Sequence, residues 1–383
     1  MEQWLTAAWQ RKAVWLWLFL PLTWLYQLIS WVNKKAYDWG LKRVYYPRVP
    51  VLVIGNITVG GSGKTPFIIA LVKYLQQKSI RVGVISRGYG GDTSQMPTIV
   101  TPQSRPSEVG DEPCLIVQST IDSASNNRMG VPMAVCPNRG QAIDLLLERF
   151  PDTQLILADD GLQHYALDRD HNWIVVDSDR GFGTAQVLPV GFLREPVKRL
   201  LQPHTTVVFH QKNWQQAPSF LPKTIGNQLQ QRGDITHLMR LVEQPLRPLF
   251  NPFDQQGNRQ DSRQQAIETS AQLVPQTVIA MTGIGYPQRF FNSLKQLGFS
   301  LVEQPFNDHH DFRLADFAAL PTDLPIVVTG KDAVKLRILL QQDSSELAKQ
   351  LSARIWVLPV EASLSPQVYQ ALDKQLREFA LLG

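Results

Sequence analysis

Cysteine is scarce in this 383-residue chain: Cys114 and Cys136 are the only two. Two cysteines make no disulfide framework, and with no CxxC there is no thiolate pair for a structural metal. The usage fits a reducing cytosol. Charge of one sign is also limited. The net charge is +5, yet there is no long Lys/Arg run and no interleaved basic–aromatic motif, so nucleic acid is not the expected partner. The mild basic excess suits an anionic membrane surface or a phosphorylated ligand. No internal repeat is present. The apolar fraction, 44%, is ordinary for a globular protein, and the length allows two domains.

Charge is missing altogether from residues 13–32, AVWLWLFLPLTWLYQLISWV. At about 1.5 Å per residue, such a helix just reaches across a bilayer core of roughly 30 Å. Arg11, Lys12, Lys34 and Lys35 bracket the run, and tryptophans crowd it. Both features suit a membrane interface. No small-residue cleavage site follows, which argues against a secretory signal. Pro21, Thr23 and Gln27 weaken a simple span. Trp4, Leu5, Ala8 and Trp9 add an amphipathic stripe before it. The expectation is a membrane-embedded or interfacial anchor, with span and interface both open.

What the chain does have, directly after this segment, is NITVGGSGKTPF at 56–67. A phosphate loop needs backbone N–H groups converging at a helix N-terminus, a lysine for charge and a hydroxyl for magnesium. Gly60, Gly61 and Gly63 supply the backbone, Lys64 the charge and Thr65 the hydroxyl; Thr58, Val59 and Ser62 complete the loop. Thr58 stands where such loops usually begin with glycine. The loop lies between a short β-branched run at 51–54, read as a buried strand, and a helix expected over 64–77. Further strands are expected at 82–86, 133–136, 155–158, 173–176 and 206–209, with a helix over 140–150. This alternation predicts a P-loop NTPase-like, mostly parallel α/β sheet, with ligands beyond the carboxyl ends of its strands. Residues 211–276 are rich in glutamine and proline and read as an irregular connector or insertion. A second, smaller α/β domain is expected over 277–383, with strands at 278–281 and 325–328 and a last helix able to pack back on the first domain. The expected organisation is thus a membrane-anchoring segment (1–49), a P-loop domain (50–210), the connector and the smaller domain.

Phosphate loops pair with an acid ending a neighbouring strand. LILADDGLQH offers Asp159 and Asp160 there; an Asp-Gly turn is the plainer alternative. EVGDEP contains Asp111, a possible base or a solvated acid. NDHHDF contains His309 and His310, whose adjacency does not aim both rings to one side of a regular element. GFLREP carries Arg194 and Glu195, suited to a phosphate and to magnesium or to a surface ion pair. Arg139, in CPNRG, is a similar phosphate candidate.

In order, TVGGSGKTP, SRGYGG, VGDEP, DDGLQH, LPVGFLREP, DHHDF and VTGKDAVK resemble the tetraacyldisaccharide 4′-kinase family of lipid A biosynthesis, over about residues 51–335. Departures are Leu162 for a usual Phe, Phe192 for a usual Pro and Gly330 for a usual acid. The resemblance implies ATP- and Mg²⁺-dependent phosphorylation of the 4′-hydroxyl of a tetraacylated glucosamine disaccharide 1-phosphate. It implies an enzyme on the cytoplasmic face of the inner membrane, with no protein partner inferred. By motif matching, Asp111 is the base, paired with His309, and Lys64 acts on the transferred phosphoryl group. Residues 58–65, Arg139 and Arg194 contact nucleotide phosphates; Thr65, Asp159, Asp160 and Glu195 lie near the metal. The competing reading is a membrane-associated partitioning or targeting ATPase, but those loops begin with an extra lysine, and here the start is Asn56-Ile57-Thr58. A GTPase needs N/T-K-x-D, and TGKD at 329–332 has the wrong order. A lipid-binding scaffold would not need Lys64, Thr65 and paired aspartates.

Overall fold

The computed structural model describes residues 8, 9, 11–121, 128–215, 218, 220–250 and 273–382. The Gln-rich run at 251–272, the core of the expected connector, lies outside the described residues, as do Trp4 and Leu5. A 3₁₀ turn, Val14–Phe19, feeds α1 (Leu20–Asp38). Then follow β1 (Val51–Gly55), α2 (Lys64–Gln77), β2 (Val82–Ser86), β3 (Thr98–Ile99), α3 (Pro106–Val109), α4 (Asp111–Ser119), β4 (Met133–Val135) and α5 (Arg139–Arg149). Next come β5 (Leu155–Asp159), β6 (His171–Asp177), β7 (Thr205–His210), α6 (Lys223–Gln231), β8 (Leu238–Glu243) and β9 (Arg247–Pro248). The chain closes with β10 (Thr277–Thr282), α7 (Pro287–Gln296), β11 (Ser300–Pro305), β12 (Ile326–Thr329), α8 (Gly330–Gln342), α9 (Glu346–Arg354), β13 (Ile355–Leu358), β14 (Val360–Leu364) and α10 (Pro366–Glu378).

Nine strands form one sheet in the order β14-β8-β7-β6-β1-β5-β2-β4-β3, and five form another in the order β11-β10-β12-β13-β9. Both are mostly parallel, the edge pairs β3–β4, β8–β14 and β9–β13 being antiparallel. Strands β1, β2 and β5 are buried along their whole length. Helices cover both sheet faces, which is why these strands read as unbroken apolar runs rather than alternating ones. The β1–β5 register sets Ile54 beside Asp159. The phosphate loop and the Asp159-Asp160 pair therefore leave the sheet side by side.

The stretch expected to be an irregular connector or insertion carries a helix and two strands between 223 and 248. In α6, Ile225 and Leu229 are buried one turn apart, and its glutamines are good helix formers. Strand β8 joins the large sheet between β7 and β14. Alternation was hard to read there because only Leu238 and Met239 are buried. The two sheets are linked by two adjacent crossings, β8 to β9 and β13 to β14, tied by Gln244 N–H donating to Pro359 O at 2.9 Å. Beyond this crossing the chain returns to the large sheet. Val368, Leu372 and Leu376 of α10, spaced four apart, pack in the same core as Phe67 and Leu71 of α2.

Helix α1 has its polarity reversed. From Leu20 to Asn33 its buried or half-buried positions are Leu20, Thr23, Tyr26, Ser30 and Asn33, while Leu22, Trp24, Leu25, Leu28, Ile29, Trp31 and Val32 face outward. The 3–4 spacing of the inward set marks one helical face. The described apolar helix over 14–38 is long enough to cross a membrane, yet it lies along the protein, with Tyr37 beside Tyr165 at 6.2 Å.

Candidate active site

Lys64 begins α2 directly after Gly63, whose φ of +91° lies in the left-handed region. A Cβ on Gly63 would also lie 2.6 Å from Met239 Cε, so only glycine permits this entry into the helix. Asn56 closes the loop from inside: its Nδ2 donates to Gly60 O at 3.2 Å and Thr58 Oγ1 at 3.3 Å, and its Oδ1 accepts from Lys64 Nζ at 3.4 Å. In the sequence Asn56 registers only as the absence of a lysine; its structural role is invisible without the loop's closure. Ser62 and Thr65 are buried, and Ser62 Oγ has no partner.

Lys64 Nζ lies 3.4 Å from Asp160 Oδ1. Arg194 Nη1 reaches the same carboxylate at 2.9 and 3.2 Å. Burial alone would raise the Asp160 carboxyl, but Lys64 and Arg194 outweigh it and bring it down to about 2. Its neighbour behaves oppositely. Asp159 is pushed up to about 7, first by burial and then by the charge of Glu112. Ser86 Oγ donates to Asp159 Oδ2 at 3.3 Å, while Oδ1 is buried without a partner. Adjacent carboxylates thus divide: Asp160 is neutralised by cations and Asp159 is left short of one.

A second cluster bridges the two sheets. Asp111 opens α4, behind Gly110 with φ +95°, and is 5% exposed. His309 Nδ1 lies 3.0 and 3.1 Å from its oxygens. Lys335 Nζ lies 3.4 Å away, and Lys331 pairs with Glu112. Burial would raise the Asp111 carboxyl; the His309 hydrogen bond and the two lysines more than offset it and hold it well below the usual carboxylate range. The hydrogen bond to Asp111 in turn raises the His309 imidazole. The backbone of His309 is held at φ +59°, its N–H donating to Gly283 O at 3.0 Å. His310 turns away to Asp316 at 2.9 Å and stacks on Phe306. The adjacent histidines therefore serve different carboxylates.

Two further expected residues flank the first of these clusters. Glu195 accepts from Gln163 Nε2 at 2.6 Å and pairs with Arg199 at 3.1 Å. Arg139 is buried at the start of α5, its Nη1 donating to Cys136 O and its Nη2 to Asp160 O, with Nε unpaired. Among the described residues no three His, Cys, Asp or Glu side chains form a metal cage. Lys331 and Lys335 join the Asp111 cluster without having been singled out by the sequence. Their spacing in KDAVK, one turn apart, was the available signal.

Two sheets thus bring a phosphate loop and its acids up against an Asp–His pair. The sequence model of the family described as "Tetraacyldisaccharide-1-P 4'-kinase" matches residues 15–377. The chain belongs to this family. It is 50% identical over 383 residues to the tetraacyldisaccharide 4′-kinase of Psychrobacter cryohalolentis, covering 98% of this chain and 96% of the relative. With the corresponding protein of Psychrobacter arcticus the identity is 49%, over 98% and 95% of the two chains. A crystal structure described as the "apo" form of LpxK from Aquifex aeolicus in complex with ATP superposes with a TM-score of 0.62. At 24% identity, over 94% of this chain and 98% of that one, it establishes the shared fold. The fold described above, a mostly parallel nine-stranded sheet with a second sheet of five strands, is therefore the LpxK-like one.

Proposed function

We propose that the chain performs its family's reaction, tetraacyldisaccharide 4′-kinase activity in lipid A biosynthesis, at the cleft between Lys64 and Asp111. The observation that carries this is the approach of His309 from the small sheet to Asp111 of the large one. ATP binds with its phosphates on the 58–65 loop. Lys64 and Arg194, prepositioned on Asp160, swing their charge onto the transferred phosphoryl group; Arg139 adds charge nearby. Asp111 accepts the proton of the sugar 4′-hydroxyl as its oxygen bonds to phosphorus and the bond to ADP breaks. Phosphoryl transfer depends mainly on such positioning and charge stabilisation. His309 orients the Asp111 carboxylate. Because the pair spans both sheets, its assembly coincides with closure of the cleft, which limits loss of phosphoryl groups to water.

The residues fit a magnesium ion. Asp159 Oδ1 is buried and unpaired, and burial, followed by the charge of Glu112, raises its pKa. Thr65 is buried in the first turn of α2, and Glu195 keeps lone pairs for a metal-bound water. A bound Mg²⁺ would neutralise phosphate charge, and so few protein ligands suit an ion that keeps waters and phosphate oxygens.

Helix α1 turns its apolar face outward and its polar face toward the protein. That arrangement supports a lipid surface as its outer medium, with the helix lying in the interface. The acyl chains of the substrate would then stay in the bilayer, on the cytoplasmic side where ATP is available. The test is purified protein with γ-labelled ATP, Mg²⁺ and tetraacyldisaccharide 1-phosphate in detergent. Label should enter the lipid and be lost in Lys64→Ala; hydrolysis of ATP with no labelled lipid would overturn the reading. Leu25→Glu with Ile29→Glu should reduce sedimentation with anionic vesicles, and undiminished sedimentation would remove α1 as the anchor.

A further inference from the structure

Three hydrogen bonds run from the N-terminal segment to one loop. Trp9 Nε1 donates to Pro189 O at 2.9 Å. Val190 N–H donates to Thr23 Oγ1 at 3.3 Å. Tyr26 Oη donates to Arg194 O at 2.8 Å. Thr23 is fully buried, so its hydroxyl faces the loop and not water. The opposite side of the same loop is laced to the phosphate loop. Arg194 N–H donates to Ile57 O at 2.7 Å, and Val59 N–H donates to Phe192 O at 2.8 Å. Residues 187–196 are therefore the middle layer between the apolar helix and the loop that begins α2. Arg194 carries both connections: its carbonyl is held by Tyr26 and its guanidinium holds Asp160.

We infer that α1 is a positioning element of the phosphoryl-transfer site as well as an apolar surface, with Tyr26 and Thr23 fixing the loop that presents Arg194. The assignment of that site rests on the function proposed above. The physical case is direct. A loop of ten residues has many accessible conformations, and orienting an arginine to within hydrogen-bond reach of Asp160 needs its backbone fixed on both sides. One side is supplied by Ile57 and Val59. On the other side no strand lies among the described residues; α1 supplies side-chain oxygens there. This also accounts for the reversed polarity of the helix. Thr23, Tyr26 and Ser30 face inward because the partner is a polar loop backbone, leaving the apolar residues for the outside. An element that meets the lipid surface would then be one layer away from the phosphate loop.

The test uses the full-length protein and two variants that remove one partner each with little change of shape, Tyr26→Phe and Thr23→Val. Loss of one neutral hydrogen bond predicts a fall in kcat of about two- to tenfold, with KM for ATP and lipid unchanged. The fall should vanish when Tyr26→Phe is placed on Arg194→Ala, because Tyr26 acts through Arg194. Amide exchange read by mass spectrometry should quicken at Val59, Val190 and Arg194. An unchanged kcat with unchanged exchange would overturn the inference, as would an equal loss with and without Arg194. If the wild-type protein fails to label the lipid, the proposed function fails; the exchange measurement still decides whether α1 holds the loop.

Discussion

The contact between His309 and Asp111 invites a double-mutant cycle. His309 Nδ1 stands 3.0 Å from an Asp111 oxygen, and no residue lies between them. If Asp111 takes the hydroxyl proton and His309 acts only by holding that carboxylate, the two substitutions must not add. Asp111→Asn removes the base while keeping its shape, and general-base help is typically about 10²–10⁴ in rate. His309→Ala removes one hydrogen bond to a charged group, worth about 1.5–3 kcal/mol. At 1.36 kcal/mol per tenfold in rate, this is roughly a 10- to 150-fold loss. Lys335 still faces the carboxylate at 3.4 Å, which places the expectation toward the lower end. The double variant should be about as slow as Asp111→Asn alone, giving a coupling energy near the whole His309 effect. The assay is initial-rate transfer of γ-label from ATP to lipid at saturating substrates, with ATP affinity measured separately to confirm intact binding. Losses that multiply in the double variant would mean that His309 acts on something other than Asp111, and the proposed pairing would fall.

Asp159 gives a pH dependence. Its folded-state pKa, about 7, is raised above the unfolded value, so the folded state holds an extra proton between about pH 4 and 7. Stability falls as pH rises through that window. Asp159→Asn should therefore raise Tm at pH 8 in the absence of metal while abolishing transfer, and Mg²⁺ with ATP should raise the Tm of the wild type more than that of the variant; an unchanged Tm at pH 8 would refute the charge argument. Asp332 is buried and accepts from Thr282 Oγ1 at 2.8 Å, Thr329 Oγ1 at 2.6 Å and Gly283 N at 3.1 Å. Asp332→Ala strands those donors at about 1–3 kcal/mol each before relaxation, and because Gly283 O holds His309, it should lower kcat too; urea unfolding that shifts by under about 0.5 kcal/mol would contradict this. Gly110→Ala places a Cβ 2.5 Å from Tyr89 O at a φ of +95°, so it should displace Asp111 and cut kcat while ATP affinity, measured by fluorescence titration, stays near the wild-type value.

Much of the large sheet could be read from composition because its central strands are buried on both faces. Runs such as VLVIG and LILAD carry their own signal, whereas β8 does not: LMRLVE is half exposed and sits among glutamines. The phosphate loop was equally legible, since a glycine-rich turn followed by Lys-Thr meets a local requirement. The helix at 14–38 was legible as apolar but not as reversed. Its apolar residues announce an outer face, but only packing reveals that Thr23 and Tyr26 look inward to a loop more than 160 residues away.

By itself the sequence determined what local chemistry determines. It set the glycines that allow a left-handed entry to α2, the strand-ending aspartates, the unpaired cysteines and the absence of charge through the N-terminal run. Seven ordered motifs then tied these to a family. Tertiary structure alone decided the pairings. Asp159 and Asp160 are adjacent and chemically identical, yet one carboxyl is brought down to about 2 and the other pushed up to about 7. The difference is in the surroundings: one meets Lys64 and Arg194, the other is buried under the charge of Glu112. Likewise His309 and His310 diverge to Asp111 and Asp316. A pKa and a hydrogen bond depend on distances through space, and those distances exist only once the two sheets meet.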